Sequence, residues 1–124
     1  MSPRKLSMDQ FEQRVADYKD RSKLWNYLGK TPALVVFYAD WCPHCQVYAP
    51  VLEEVGESYG ERLAVFKVNI DDQRRVAAVY NIRTIPTTCF FPLGGEHYVG
   101  EHYVRVGGMP TDALREMVDD ILMK

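Results

Sequence analysis

Several common classes of protein are excluded by what this sequence lacks. Three cysteines among 124 residues are too few for a disulfide scaffold. A formal net charge of −2 provides no basic field for nucleic acid or for anionic lipid. The longest apolar run, ALVVFYA at residues 33–39, is far shorter than the roughly 18 residues that a membrane span requires. We therefore expect no nucleic-acid or membrane partner.

Size and composition predict one soluble globular domain over residues 1–124, because 47% of the residues are hydrophobic and 26% are charged. Arg4 and Lys5 near the N-terminus are followed by acids and glutamines rather than by an apolar segment, so no export signal is visible. We expect a cytoplasmic monomer, or a periplasmic protein if a leader has been removed.

The hydrophobic pattern predicts helices that alternate with strands. Ser7 and Gln10 have the spacing of a capping box, which places the first helix from Met8 to about Lys19. Residues 33–39 are apolar throughout, as in a central parallel strand. The other predicted elements are a helix after Cys42 that is kinked at Pro50 and ends at Gly60, strands within 62–70, 84–92 and 102–106, a short helix after Asp71 or Asp72, and a closing helix with Pro110 in its first turn. This order predicts an α/β sandwich with a partly parallel sheet and a hairpin at one edge.

Two of the cysteines lie in DWCPHCQ, residues 40–46. Pro43 suits the first helical position, so Cys42 falls at the N-cap, where free N–H groups and the helix dipole stabilise a thiolate. Cys45 follows on the same face at roughly 5–6 Å, a separation that a disulfide tolerates. The spacing predicts a redox-active Cys42–Cys45 pair, with Cys42 as the exposed attacking thiol and Cys45, one turn inward, as the resolving thiol.

Two other interpretations of this pair are less favoured. A structural disulfide would close so small a loop that it would constrain the unfolded chain little. A zinc site needs four ligands, and the histidines and cysteines available for one are Cys42, His44, Cys45, Cys89, His97 and His102. We expect neither a metal nor another cofactor.

Four segments resemble motifs of the thioredoxin family, in order and with that family's approximate spacing. They are VVFYADWCPHC, KVNIDD, IRTIPT and VGG, and residues 17–42 are similar to a bacterial subgroup with a long first connection. The resemblance covers nearly the whole chain. It implies a thioredoxin fold, with a central mixed β-sheet flanked by helices on both faces. It also implies a protein-disulfide oxidoreductase that acts on protein thiols and disulfides, with a thioredoxin reductase or another thiol–disulfide protein as partner.

The same resemblance assigns the site residues. It makes Cys42 the nucleophile and Cys45 the resolving cysteine. The implied substrate-binding residues are Trp41, Ile85, Pro86, Gly107 and Gly108. Ile85 and Pro86 match the family's cis-proline pair, whose backbone faces an incoming peptide, and the two glycines match a turn that a substrate backbone can approach closely. Tyr38 occupies a position that is often aromatic, for which core packing and substrate contact are equally open.

The dipeptide between the cysteines departs from the thioredoxin pattern. Pro43-His44 replaces the usual Gly-Pro and resembles the oxidising DsbA family. An imidazolium at His44 is disfavoured by the positive helix end in the oxidised form and attracted by the Cys42 thiolate in the reduced form. We therefore expect a more oxidising protein than an ordinary thioredoxin.

A second departure lies in the predicted central strand. Val36 stands where many thioredoxins carry a buried aspartate that accepts a proton from the inner cysteine. Lys67 matches the family's nearby lysine and is a possible proton relay, although most lysines at strand ends extend to water. Deprotonation of Cys45 would then need water or another base.

Other features fit simpler structural roles. GEHYVGEHYV, residues 95–104, repeats one pentapeptide; on a continuous strand its histidines, five residues apart, would point to opposite faces, so we interpret it as a lengthened hairpin. Cys89 is expected to be a small buried residue rather than a reactive thiol. Two alternative functions stay open: a dithiol oxidase or isomerase of an oxidising compartment, and a binding module that holds a partner near Trp41 and Pro86 without redox turnover.

Overall fold

The computed structural model describes residues 3–94 and 103–123. Their strands are β1 (Arg4–Lys5), β2 (Ala33–Tyr38), β3 (Ala64–Asn69), β4 (Thr87–Phe91) and β5 (Val104–Val106). Their α-helices are α1 (Met8–Arg14), α2 (Pro43–Tyr59), α3 (Arg74–Val79) and α4 (Thr111–Leu122), with short 3₁₀ helices at Arg21–Lys23 and Gly60–Arg62. Helices and strands alternate as the hydrophobic pattern predicts.

The strands form one sheet in the order β1-β3-β2-β4-β5. The first three in this order are parallel, whereas β4 is antiparallel to both β2 and β5. The predicted parallel part with a hairpin at one edge is therefore confirmed. Strand β1 was not predicted, because two polar residues are too short to show a hydrophobic alternation.

Strand β2 lies at the centre of the sheet and divides the core in two. All six of its residues are buried, as predicted for a central strand. Ala33, Val35 and Phe37 pack in the cluster that contains the buried residues of α1 and α3. Leu34 and Val36 point the other way, toward the buried residues of α2 and α4. The alternation of a strand thus places Val36 under α2, the helix that carries both cysteines of the motif.

Helix α1 begins as predicted but ends earlier. The capping box is present: Ser7 Oγ accepts the N–H of Gln10 at 3.2 Å, and Gln10 Oε1 accepts the N–H of Ser7 at 2.9 Å. The prediction that the helix reaches Lys19 is wrong, because it ends at Arg14. The Val15 carbonyl accepts an N–H from Leu28 instead of continuing the helix, and aspartate side chains take up backbone N–H groups in the next turns.

Other boundaries move by one to three residues. Helix α3 begins at Arg74 because Asn69 Oδ1 accepts the N–H groups of Asp71 and Asp72, which forms a turn before the helix. Pro110 lies just before α4 rather than in its first turn, in an extended conformation. Helix α2 continues through Pro50 and is capped by Gly60, whose φ of 55° favours glycine.

Candidate active site

Cys42 caps helix α2, as the sequence predicts. Its backbone is extended, Pro43 occupies the first turn, and Cys42 Sγ accepts the backbone N–H of Cys45 at 3.2 Å. A negative charge on this sulfur would be stabilised by that donor and by the positive end of a helix of 17 residues. The thiols of Cys42 and Cys45 are free in this structure.

Both thiols are buried, and the prediction that Cys42 is exposed is wrong. Cys42 is 3% exposed and Cys45 is 8% exposed. Cys42 turns inward to cap the helix and packs in a cluster with Tyr38 and Ala39, against which Ile85 also packs. Cys42 Sγ lies 3.9 Å from the Ile85 carbonyl oxygen. A capping sulfur has to face the helix axis, so the geometry that stabilises the thiolate also covers it.

Cys45 is less easily ionised than an ordinary cysteine. Burial raises the pKa of its thiol to about 11, and the hydrogen bond with Cys42 acts in the same direction. A backbone hydrogen bond from Ala39 and the charge of Lys67 act against this rise. At neutral pH Cys45 is therefore a protonated thiol.

A loop from strand β4 and a turn from β5 meet beside Cys42. The Ile85–Pro86 peptide bond is cis, and the Pro86 carbonyl accepts the N–H of Gly107 at 2.7 Å. Gly107 has a φ of 90°, a conformation that L side chains rarely adopt. Gly108 approaches the ring of Tyr48 from α2, since a Cβ at this glycine would lie 3.4 Å from that ring. These contacts bring the predicted proline pair and glycine turn to one place.

Trp41 stands exposed next to Cys42, with 65% of its surface accessible. Its indole Nε1 donates a hydrogen bond to Asp71 Oδ2 at 2.8 Å. Asp71 is a site residue that was not predicted from the sequence. A signal was present, because Trp41 follows β2 and Asp71 follows β3, and the carboxyl ends of neighbouring parallel strands lie at the same edge of a sheet.

Pro43 and His44 are exposed on the first turn of α2. Together with residues of α2 and of the segment before α4, His44 lines a surface cavity of about 350 Å³. Within residues 3–94 and 103–123, no group of three or more His, Cys, Asp or Glu side chains is placed to hold a metal ion. His97 and His102 of the repeated pentapeptide lie outside these residues.

Val36 and Lys67 lie opposite each other in the register of β2 and β3. Both line a cavity of about 20 Å³ that also borders Cys45. The Lys67 ammonium lies 4.3 Å from the centre of the Tyr38 ring. The position below Cys45 is thus apolar on the β2 side and cationic on the β3 side.

Cys89 is not part of this site. It is fully buried in the cluster with α1 and α3, whereas Cys42 and Cys45 belong to a separate cluster. Burial raises the pKa of its thiol to about 12. This placement agrees with the prediction of a small buried residue. In the part of the chain that the structure describes, no helix has the length and apolar character to cross a membrane.

The known proteins that this chain resembles belong to one family. The thioredoxin family model matches residues 3–120. A thioredoxin of Borreliella burgdorferi is 30% identical over 115 residues, which is 93% of each chain. A chloroplastic M-type thioredoxin of Zea mays is 39% identical over 108 residues, which is 85% of this chain and 59% of the maize protein.

A solved structure extends the likeness to three dimensions. The crystal structure of chloroplastic thioredoxin z superposes with a TM-score of 0.74 at 25% identity, covering 98% of this chain and 95% of that one. The mixed sheet with helices on both faces is thus the thioredoxin fold. The chain therefore belongs to the thioredoxin family and is a thiol–disulfide oxidoreductase with the Cys-x-x-Cys pair Cys42 and Cys45.

Proposed function

We propose that this protein exchanges disulfides with protein substrates through Cys42 as the attacking thiol, and that it is more oxidising than an ordinary thioredoxin. The role of Cys42 as the attacking thiol is supported by one observation. Cys42 Sγ accepts the N–H of Cys45 at 3.2 Å at the start of α2, so the helix stabilises a thiolate at this sulfur rather than at Cys45.

The exchange proceeds in two balanced steps. The Cys42 thiolate attacks one sulfur of a substrate disulfide, which forms a mixed disulfide while the other substrate sulfur leaves as a thiolate and takes up a proton. Cys45 then loses its proton to solvent and attacks the Cys42 sulfur. The Cys42–substrate bond breaks, the second substrate thiol leaves, and the Cys42–Cys45 disulfide remains. The substrate gains two electrons and the protein loses them; the reverse sequence oxidises a substrate dithiol.

The substrate backbone would lie across the cis-proline loop. The Ile85 carbonyl faces Cys42 Sγ at 3.9 Å, and Gly107 is fixed against Pro86 by a hydrogen bond of 2.7 Å. Trp41, next to Cys42 in the chain, offers an exposed aromatic surface for substrate contact. A thioredoxin reductase or another thiol–disulfide protein is the proposed electron partner, and a cytoplasmic location stays a prediction.

Two residues support the oxidising character. His44 is exposed on the first turn of α2, where a positive imidazole is repelled by the helix N-terminus and attracted by a Cys42 thiolate. Val36 is buried under α2 and supplies no carboxylate that would disfavour a negative charge on the cysteines. Both effects stabilise the reduced form, which raises the reduction potential by about 30 mV for each tenfold change in the equilibrium constant.

Trapping tests the roles of the two cysteines. The Cys45→Ser variant should accumulate mixed disulfides with substrate proteins through Cys42, because no second thiol is left to resolve them. Mass spectrometry of non-reduced complexes identifies the linked cysteine. Cys42→Ser is the matched control and should trap few or none. Equal trapping by the two variants would contradict the assignment of Cys42 as nucleophile.

A redox titration against glutathione tests the oxidising character. His44→Pro and His44→Gln both remove the imidazole, and each should lower the reduction potential by roughly 30–60 mV, a ten- to hundredfold change in the equilibrium constant. Circular dichroism checks that both variants are folded. An unchanged potential in both would refute the role of His44 while leaving the trapping result intact.

A further inference from the structure

Cys45 borders a small cavity whose described lining carries one formal charge. The cavity has about 20 Å³, close to the space of a single water molecule, and its lining consists of Val36, Tyr38, Cys45, Tyr48, Ala49, Leu52, Lys67 and Pro86. Most of these residues are apolar, so a charge at the edge of this cavity is poorly screened and acts strongly on the Cys45 sulfur.

This charge is the ammonium group of Lys67, which contacts the aromatic ring of Tyr38. The ammonium lies 4.3 Å from the centre of the Tyr38 ring, well inside the range of a cation–π contact. Tyr38 is itself 91% buried and packs with both site cysteines. A lysine side chain is long and flexible, whereas this ring is fixed, so the ring determines where the charge sits.

In the strand register, the residue directly opposite Lys67 carries no carboxylate. Val36 is the residue paired with Lys67 across β2 and β3. Within residues 3–94 and 103–123, no ion pair of Lys67 is found. Glu53 of α2 lines a second cavity of about 70 Å³ together with Lys67. The field of Lys67 at Cys45 is therefore not cancelled by a direct partner.

We propose that Tyr38 is a positioning residue that holds the Lys67 ammonium beside Cys45, where this charge stabilises the Cys45 thiolate. This inference rests on the proposed function, because that thiolate attacks the mixed disulfide in one direction. In the other direction it leaves Cys42 when a substrate thiolate attacks the Cys42–Cys45 disulfide. Atoms and electrons balance as in the exchange described above, and the proton of Cys45 passes to solvent base.

Several other titratable groups lie around Cys45 and Lys67. Cys42 packs with Cys45, Tyr38 and Tyr48 line the cavity beside it, and Glu53 lines the second cavity with Lys67. Lys5 of β1 lies opposite Lys67 in the strand register and pairs with Asp72. Burial and the hydrogen bond with Cys42 raise the pKa of Cys45, and Lys67 is the side-chain charge that lowers it. Removing that charge should shift the resolving step to higher pH.

The test separates the two thiols with 5,5′-dithiobis(2-nitrobenzoate). Attack by Cys42 releases the first thionitrobenzoate, and resolution by Cys45 releases the second, so stopped-flow absorbance follows both. In Lys67→Met the second phase should be about three- to tenfold slower at pH 7, and its pH profile should move up by roughly 0.5–1 unit.

Matched variants at position 38 separate the ring from the hydroxyl. Tyr38→Phe keeps the ring and should resolve like the wild type, whereas Tyr38→Leu should slow the second phase as Lys67→Met does. Tyr38→Leu added to Lys67→Met should cause no further slowing. If the leucine variant folds poorly, pentafluorophenylalanine at position 38 keeps the shape, reverses the ring's electrostatics and should slow the second phase.

Three results would overturn the proposal. The first is an unchanged pH profile of the second phase in Lys67→Met. The second is a second phase at the wild-type rate in Tyr38→Leu or in the pentafluorophenylalanine variant, and the third is that Tyr38→Leu slows this phase as much in Lys67→Met as in the wild type. Failure of the proposed function looks different, since the first phase and the trapping by Cys45→Ser would then be lost. Retention of the first phase with an unaltered second phase would refute only the role of Tyr38 and Lys67.

Discussion

The hydrogen bond between Tyr48 and Thr88 offers a quantitative test of the packing under the active site. The two hydroxyl oxygens lie 2.9 Å apart, and the residues are 2% and 0% exposed. A buried hydroxyl that loses its partner costs about 1–3 kcal/mol, including the lost bond. Tyr48→Phe should therefore reduce the free energy of unfolding by that amount, since Phe keeps the ring that Gly108 approaches and removes only the hydroxyl.

A double-mutant cycle isolates the bond. Thr88→Val keeps the branched shape and should cost about as much as Tyr48→Phe, because it leaves the tyrosine hydroxyl unpaired. In the double variant both hydroxyls are absent, so its cost should be smaller than the sum of the two single costs by about 1–2 kcal/mol. Urea unfolding at constant m-value measures all four proteins, and each 1 kcal/mol corresponds to roughly 4 °C in Tm.

Two results would refute this reasoning. Additive costs would show that the hydroxyls act independently, and a cost of Tyr48→Phe below about 0.5 kcal/mol would show that water replaces the missing partner. The attack phase of Cys42 on dithiobis(2-nitrobenzoate) serves as the functional control. It should be unchanged in Tyr48→Phe at temperatures where the variant is folded, because the ring is retained.

Three further predictions follow from single contacts. Gly107→Ala should lower stability in urea unfolding by about 1–3 kcal/mol, because alanine is strained at a φ of 90°; Gly108→Ala, whose Cβ would make an ordinary contact at 3.4 Å, should cost clearly less, and equal costs would contradict this. Cys89 should resist iodoacetamide in the native protein at pH 8 and react after unfolding, since its pKa is raised to about 12. Mass spectrometry measures the labelling, and alkylation of Cys89 in the native protein would contradict this prediction. Asp71→Ala should change stability by less than about 1 kcal/mol, because its bond to Trp41 is exposed, yet slow exchange with protein disulfides severalfold, and an unaltered rate would exclude a role in orienting the indole.

Local chemistry was sufficient to predict much of the scaffold. The capping box at Ser7, the all-apolar strand β2 and the helix that begins after Cys42 were each predicted within a few residues. These features depend on groups that are close in the chain: an N-cap side chain and the N–H groups three positions on, or the alternation within one strand. Where local competition was underestimated, as at the aspartates after Arg14, the predicted helix was too long.

The placement of Cys42 and Cys45 on the first turn of one helix could be predicted from the sequence, because their spacing and Pro43 require only local geometry. The burial of Cys42 against Ile85 and the position of Val36 opposite Lys67 became visible in the three-dimensional fold. Those relations depend on the register between strands and on which loops meet at the sheet edge. Contacts between residues far apart in the chain arise from packing of the whole core, and a local sequence pattern does not specify which distant residues will meet.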